Sequence, residues 1–292
     1  MKQIKIGTCV PGTKAEEWLK GFIGKGFETF SLNFHRSLEG TDLDKLALST
    51  EKLFAGTDSE ITTVGYYCNP IQYAEHRKTL ENVICTAGKF GATHVSTFAG
   101  AWEGKPVESA YEEFGKVFRE LADLAEEKGV KLGIENCLMD GTWEHATCNI
   151  GFNPKAWEVM FEEVKNDNFG LEWEPTHQMV QLIDPVTELR KWCKKIVHIH
   201  GKDATIDWDA VRHSGISGAV PFVWHRMPGF GDTNWRDIIS ILRSNGYEDD
   251  ICIEGYHDPV YSGELEMTGQ LHALNYLKWC RGGDFTPTPW AK

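Results

Sequence analysis

The chain has 292 residues, 43 of them acidic and 30 basic, for a formal charge of -13. That excess repels a phosphate backbone, so nucleic acid is not an expected partner. No apolar run is long enough for a membrane-spanning helix, and none is expected.

The eight cysteines (Cys9, Cys68, Cys85, Cys137, Cys148, Cys193, Cys252, Cys280) form no Cys-x-x-Cys pair. Several fall within strand-like or helix-like runs, as free thiols do in a reducing compartment. The first residues run into a strand without a signal-peptide core, so a cytoplasmic location is expected.

Strand-like and helix-like segments alternate along the sequence. A strand at 4–10 precedes a helix at 15–24, in which Trp18, Leu19, Phe22 and Ile23 share a side. A second strand at 27–34, a helix at 42–54, a third strand at 61–67, a helix at 73–90 and a fourth strand at 93–98 follow. The clearest helical period lies at 111–128. There Phe114, Phe118, Leu121 and Leu124 recur at threes and fours, and Gly129 supplies the stop. The fifth strand is 130–134. Asn153 and Pro154 then read as cap and first residue of a helix reaching 164. A strand at 169–173, a helix at 184–193, a strand at 196–200, a helix at 235–243, a strand at 250–254 and a helix at 270–279 complete the series. The tail from 281 is expected to be irregular.

Eight strands, each followed by a helix, with no linker between them, predict an α/β fold: one (β/α)8 TIM barrel spanning 1–292. The rival, an open doubly wound sheet, wants a glycine-rich phosphate turn after an early strand, and Gly7 to Gly12 supplies none. Two strand-to-helix connections, 137–152 and 201–234, are long. In a barrel such loops lie at the C-terminal face and carry function. They hold Trp143, His145, Trp208, Trp224, His225, Arg226 and the turn Pro228-Gly-Phe-Gly231.

The stretch Phe169 to His177 concentrates the chemistry. Its strand runs into Glu174, Pro175 stops it, and His177 lies just beyond. Three other strands end on Glu135, His200 and Glu254. Neighbouring barrel strands converge on one axis, so these four side chains are expected to meet. Three carboxylates and one imidazole without a thiol suit a hard divalent ion, manganese first, with magnesium, cobalt, zinc or iron also accommodated. A solvated strand-end acid explains any one of the four, but not four at equivalent places. Three acids brought together without a cation also repel one another.

Alternation along the strands turns Lys131, Glu172, His198 and Cys252 inward as well, deeper in the barrel. Glu172 and His198 then form a pair beneath the metal, or His198 is simply a satisfied core histidine. His177 is a candidate ligand, substrate contact or acid–base group. Lys202 and Asp203 either pair with each other or reach substrate oxygens. Of Trp102, Trp143, Trp208 and Trp224, one or two are expected to cover a sugar's apolar face. His145 is the best placed titratable group of its loop, and its plain alternative is a surface histidine. The cations of these loops, Lys202, Arg212 and Arg226, are few, so the substrate is expected to be unphosphorylated.

Ile134-Glu135-Asn136, Glu174-Pro-Thr-His177, His200-Gly-Lys-Asp203, Pro228-Gly-Phe-Gly231 and Glu254 together resemble the xylose-isomerase-like barrel superfamily of sugar isomerases and epimerases. The resemblance covers nearly the whole chain. It implies a divalent metal on Glu135, Glu174, His200 and Glu254, proton transfer by Glu135 and Glu254 on the two faces of a sugar, and substrate contact by His177. Glu174 departs from the aspartate usual in that place. Gly141 and Ile206 stand where ketose 3-epimerases carry an acid and an arginine. The His-Gly-Lys-Asp run is more like inosose dehydratase, keto-inositol isomerase and hydroxypyruvate isomerase relatives, and some relatives cleave 3-keto-glycosides by elimination.

The expected activity is therefore metal-dependent proton abstraction next to a carbonyl, through an enediolate, by an isomerase or epimerase. A lyase or dehydratase of the same fold is the alternative. An endonuclease IV-type phosphodiesterase would need a histidine-rich cluster and a basic face, and the net charge of -13 and the single imidazole among the four matching positions argue against it. Lys202, Trp102, Trp143, His145 and Arg226 join His177 as expected substrate contacts. The expected partner is a small carbohydrate, and a homo-oligomer is compatible with the sequence.

Overall fold

The structure, a computed structural model, describes residues 3–283 and 286–290. Ten strands occur among them: β1 Lys5–Pro11, β2 Thr29–His35, β3 Glu60–Tyr67, β4 His94–Thr97, β5 Lys131–Glu135, β6 Phe169–Trp173, β7 Ile196–Gly201, β8 Asp203–Ile206, β9 Val223–Arg226 and β10 Asp250–Ile253. Eight of them close a barrel in the order β1-β10-β7-β6-β5-β4-β3-β2, and every neighbouring pair is parallel. This is the expected (β/α)8 architecture. No helix among the described residues is long and apolar enough to cross a membrane.

The helices lock onto the barrel through apolar stripes. In Tyr111–Glu127, Phe114, Phe118 and Leu121 are buried. Phe114 stacks on Phe118 at 4.6 Å between ring centroids, and both tilt onto Phe169 at the start of β6. Rings this large each contribute about 1.5–3 kcal/mol when withdrawn from water. Asn153 caps Pro154–Glu163 by accepting from the Lys155 N–H at 3.0 Å, as its sequence predicts. Asp184 does the same for Pro185–Trp192. The last helix, Glu266–Cys280, starts four residues earlier than expected because a 3-10 turn at Gly263–Leu265 leads into it. Of the tail, residues 286–290 contain no helix or strand, and 284–285 and 291–292 lie outside the described residues.

One expectation is corrected. The connection 201–234 is no loop: β8 and β9 pair antiparallel, with Asp203 opposite Arg226, and Trp208–Ser214 is helical. Buried Asp203 fixes this insertion. Its carboxylate accepts the backbone N–H groups of Ala204, Gly229 and Thr233 at 2.8, 3.2 and 2.9 Å. It therefore faces backbone donors and not Lys202.

The register of β6 and β7 sets up the interior. A shift after Leu171 brings Glu172 opposite His198, so both fall in one layer inside the barrel. Gly170 permits the close approach: a Cβ there would lie 2.4 Å from the Lys195 carbonyl and 2.5 Å from Val197 Cγ1. Gly170→Ala is expected to lower stability by about 3 kcal/mol, read as a drop in the urea midpoint at unchanged slope. An unchanged midpoint would mean that the register is held elsewhere.

Candidate metal centre

The four strand-end residues converge. One ligand atom each from Glu135, Glu174, His200 and Glu254 all lie within 4.8 Å of one another. His200 is the hub. Its Nδ1 is 2.9 Å from Glu135 Oε1, 3.4 Å from Glu254 Oε2 and 3.6 Å from Glu174 Oε2. Backbone clips hold the acids in place. Asn136 accepts the Glu174 N–H at 2.7 Å and donates to the Glu174 carbonyl at 2.9 Å, extending the pairing of β5 and β6 past their ends. Asn149 donates to the carbonyls of Glu135 and Cys137 at 2.9 and 2.8 Å.

Beneath His200 lies a second layer. Its Nε2 is 3.2 Å from Glu172 Oε1, which is also 2.7 Å from His198 Nδ1, while the Tyr67 hydroxyl donates to Glu172 Oε2 at 2.8 Å. Glu172 and His198 are both fully buried, so the pair seen in the strand alternation is present. An Nε2–H held by Glu172 leaves the Nδ1 lone pair free for a cation, the arrangement that orients metal-bound histidines. Lys131, in contrast, sits at the far rim, paired with Asp249 at 2.9 Å.

The chemistry of this donor set fits a divalent ion. Glu174 is fully buried, yet neither of its carboxylate oxygens has a hydrogen-bond partner, and Glu254 Oε2 lacks one too. Buried carboxylate oxygens are rarely left so. Burial, reinforced by the Glu254 charge, raises the Glu174 carboxyl well above its ordinary range. Burial likewise lifts Glu135 to about 7, against the opposing pull of His200. For His200, burial is the largest single influence and favours the neutral ring, but Glu172 together with other neighbours raises the imidazole well above its usual value. Lys202 is buried with its Nζ 3.2 Å from Glu254 Oε1 and 3.8 Å from Glu174 Oε1. Its charge, with that of His200, overcomes burial and keeps Glu254 well below the carboxylate range.

This geometry lies on a barrel matched from residue 25 to 278 by the profile of the xylose isomerase-like TIM barrels. The chain belongs to that family. Among its relatives, inosose dehydratase of Clostridium tetani is 26% identical over 182 residues, covering 61% of this chain and 57% of that protein. The match thus spans little more than half of that relative's length. Among the solved structures that share the fold, three are instructive. A xylose isomerase domain protein from Planctomyces limnophilus superposes with a TM-score of 0.72 at 17% identity, covering 96% of each chain. The 3-keto-D-glucoside 4-epimerase of E. coli does so with 0.68 at 15%, over 95% of this chain and 100% of that one. The IolI protein, solved with a bound zinc atom, gives 0.65 at 19%, over 95% and 96%.

Within this family barrel the centre opens into a cleft of two lobes. The larger, about 980 Å3, includes Glu135, His177, Lys202 and Glu254 in its wall. The smaller, about 260 Å3, adds Asn33, Tyr67 and His200. Glu135 and Glu254 face both lobes, whereas Glu174 faces neither. His177, on the short helix Pro175–Met179, is buried with its Nε2 3.2 Å from Glu174 Oε1.

Four expected contacts stand away from this cleft; none of them lines either lobe. The Trp143 indole N–H donates to Glu108 and its ring packs edge-on against Phe152. His145 is exposed in a tight turn closed on Thr142. Arg226 is held by Asp258 at 3.3 Å and lies over Phe230. Trp102 is 36% exposed. Trp208 and Trp224 are also absent from the lobes. The cleft instead takes Leu138 and Met139 from the early part of the 137–152 loop. Sequence reasoning missed Tyr67, Tyr256 and the placement of His225. Tyr67 ends a strand, a signal available in principle; the other two depend on the hairpin and on the turn after β10.

Burial and neighbouring charge favour the protonated forms of Glu135, Glu174 and His200, so a cation binding there would compete with protons. Its apparent affinity should therefore fall by at least about tenfold per unit as pH drops below 7, with protons released on binding. Calorimetry in buffers of different ionisation heat counts them. A pH-independent affinity would remove these residues as ligands. Glu172→Ala should weaken binding by about 10–100-fold by freeing the His200 ring.

Proposed function

We propose that this protein is a divalent-metal-dependent enzyme that moves a proton at a carbon next to a carbonyl in a small, unphosphorylated keto-sugar or keto-polyol. The observation that carries the reading is the division of labour among the strand-end acids. All three point at one buried spot with His200, but only Glu135 and Glu254 also face the cleft. Glu174 and His200 then anchor the ion, with manganese or zinc as the first candidates. Glu135 and Glu254 do double duty as ligands and proton carriers.

A divalent ion bound there supplies a Lewis acid for the substrate's carbonyl oxygen and stabilises the charge that develops on it. The chain's own groups do the rest. Glu254, kept ionised by Lys202 at 3.2 Å, is the base that takes the proton from carbon, and Glu135 returns it. Return to the opposite face inverts the centre, and return to the neighbouring carbon moves the carbonyl. Lys202 holds its own charge because three acids surround it, and it presents an ammonium donor to substrate oxygens. His177, whose imidazole is kept neutral chiefly by burial, positions a hydroxyl. The preference for an uncharged substrate follows from the cations. Arg226 is committed to Asp258, Arg212 to Asp209 and Lys202 to Glu254 and Glu174.

A second reading, dehydratase, draws equal support from the inosose dehydratase relative. It needs a third acid–base group for the departing hydroxyl, and His177 in the cleft wall is better placed for this than His145.

Metal-loaded protein should catalyse uptake of solvent deuterium into keto-sugars or keto-inositols, and lose it on chelation. Glu135→Gln and Glu254→Gln should each retain the fold and lose about 10²–10⁴-fold in turnover. Near-normal exchange in either variant would remove that residue from the mechanism. His177→Ala separates the two readings: loss of water elimination with surviving exchange marks a dehydratase.

A further inference from the structure

The larger lobe contains more polar equipment than proton transfer at the metal uses. His225, carried on β9, and Tyr256, in the turn after β10, both line it. His225 Nδ1 and the Tyr256 hydroxyl are buried, and neither has a hydrogen-bond partner. Buried polar atoms without partners are uncommon in folded proteins. Two in one cavity wall, His225 in the larger lobe alone and Tyr256 shared with the smaller lobe beside His200, point to a ligand that satisfies them. His257 stands at the rim of the same lobe with φ of 72°, a left-handed conformation unusual for a residue other than glycine. The rings of His177, His225 and His257 follow one another along the wall, 6.3 Å and then 5.9 Å apart between centroids. They lead away from Glu174 towards the opening. The same lobe is also lined by apolar Leu138, Met139 and Val180.

We propose that His225, Tyr256 and His257 form a distal subsite that binds a second polyhydroxylated ring, beyond the part of the substrate held at the metal. The inference rests on the proposed function and extends it. The chemistry matches: a saturated sugar or cyclitol ring is apolar on its faces and carries hydroxyl groups around its edge. Leu138, Met139 and Val180 take the face, and the imidazoles and phenol take the edge. A neutral imidazole offers one donor and one acceptor, the pair that a hydroxyl requires. Burial and the nearby Lys202 charge hold His225 down at about 4, so it is neutral in ordinary conditions. The volume agrees, since about 980 Å3 lies at the upper end of small-molecule sites.

Calorimetric titration of the metal-loaded full chain with glycerol, myo-inositol and cellobiose tests this. These probes carry no ring, one ring and two rings, and none needs to react. Cellobiose should bind at least about tenfold tighter than myo-inositol, and glycerol weakest. Tyr256→Phe, which removes only a hydroxyl, and His225→Ala should each weaken cellobiose binding by about threefold to tenfold, the size of one lost hydrogen bond. His225→Ala should leave myo-inositol binding and metal content unchanged. Equal weakening for all three probes, no effect in either variant, or no preference for two rings in the parent protein would overturn the proposal. Absence of deuterium exchange with a full set of ring preferences would instead overturn the proposed reaction and leave the subsite standing.

Discussion

The structure depends on what happens when carboxylates are forced together away from water. Glu135, Glu172, Glu174 and Glu254 crowd the end of the barrel. Two like charges 4 Å apart repel by about 4 kcal/mol in a typical protein environment. Lys202 and His200 answer part of that charge, and the remainder appears as carboxyls pushed towards their protonated forms. A divalent ion removes both problems at once. It would neutralise the acids and give the orphaned oxygens of Glu174 a partner.

The barrel makes such a concentration tolerable. Outside the sheet, Trp157, Trp173 and Trp235 with Phe114, Phe118 and Phe169 form an apolar jacket that is almost wholly buried. Inside, strand alternation stacks polar side chains in layers. His200 rests on Glu172, Glu172 on His198, and His198 Nε2 faces Asp250 at 3.4 Å. This column fixes the hub imidazole from below, while the Asn136 and Asn149 clips fix Glu135 and Glu174 from the side. The site is therefore held by elements that do not themselves touch the cleft.

Much of this was legible in the sequence because barrels translate position into geometry. Once eight strands are counted, residues that end neighbouring strands must meet, which brings Glu135, Glu174, His200 and Glu254 together without any contact being known. Alternation extended the reasoning one layer down to Glu172 and His198. The loops defeated it, since they obey no period. Trp143 and His145 sit on a connection of the right length at the right face, yet His145 lies in a turn closed on Thr142, Trp143 bonds Glu108, and neither lines the cleft. The hairpin of β8 and β9 was hidden because its short strands, with Trp208–Ser214 between them, are marked by no alternation that could be told from a loop.

That hairpin also bears on where substrate choice would reside in the proposed function. The candidate metal centre stands on four barrel strands. Choice would then fall to what overhangs it. β9 carries His225 over the large lobe, and Asp203, one residue past Lys202, ties the insertion to the barrel through three backbone hydrogen bonds. The anchor of the overhang and the ammonium that holds Glu254 are thus consecutive residues. The hairpin strand that pairs with the one carrying His225 begins directly after Lys202, whose ammonium lies 3.2 Å from Glu254.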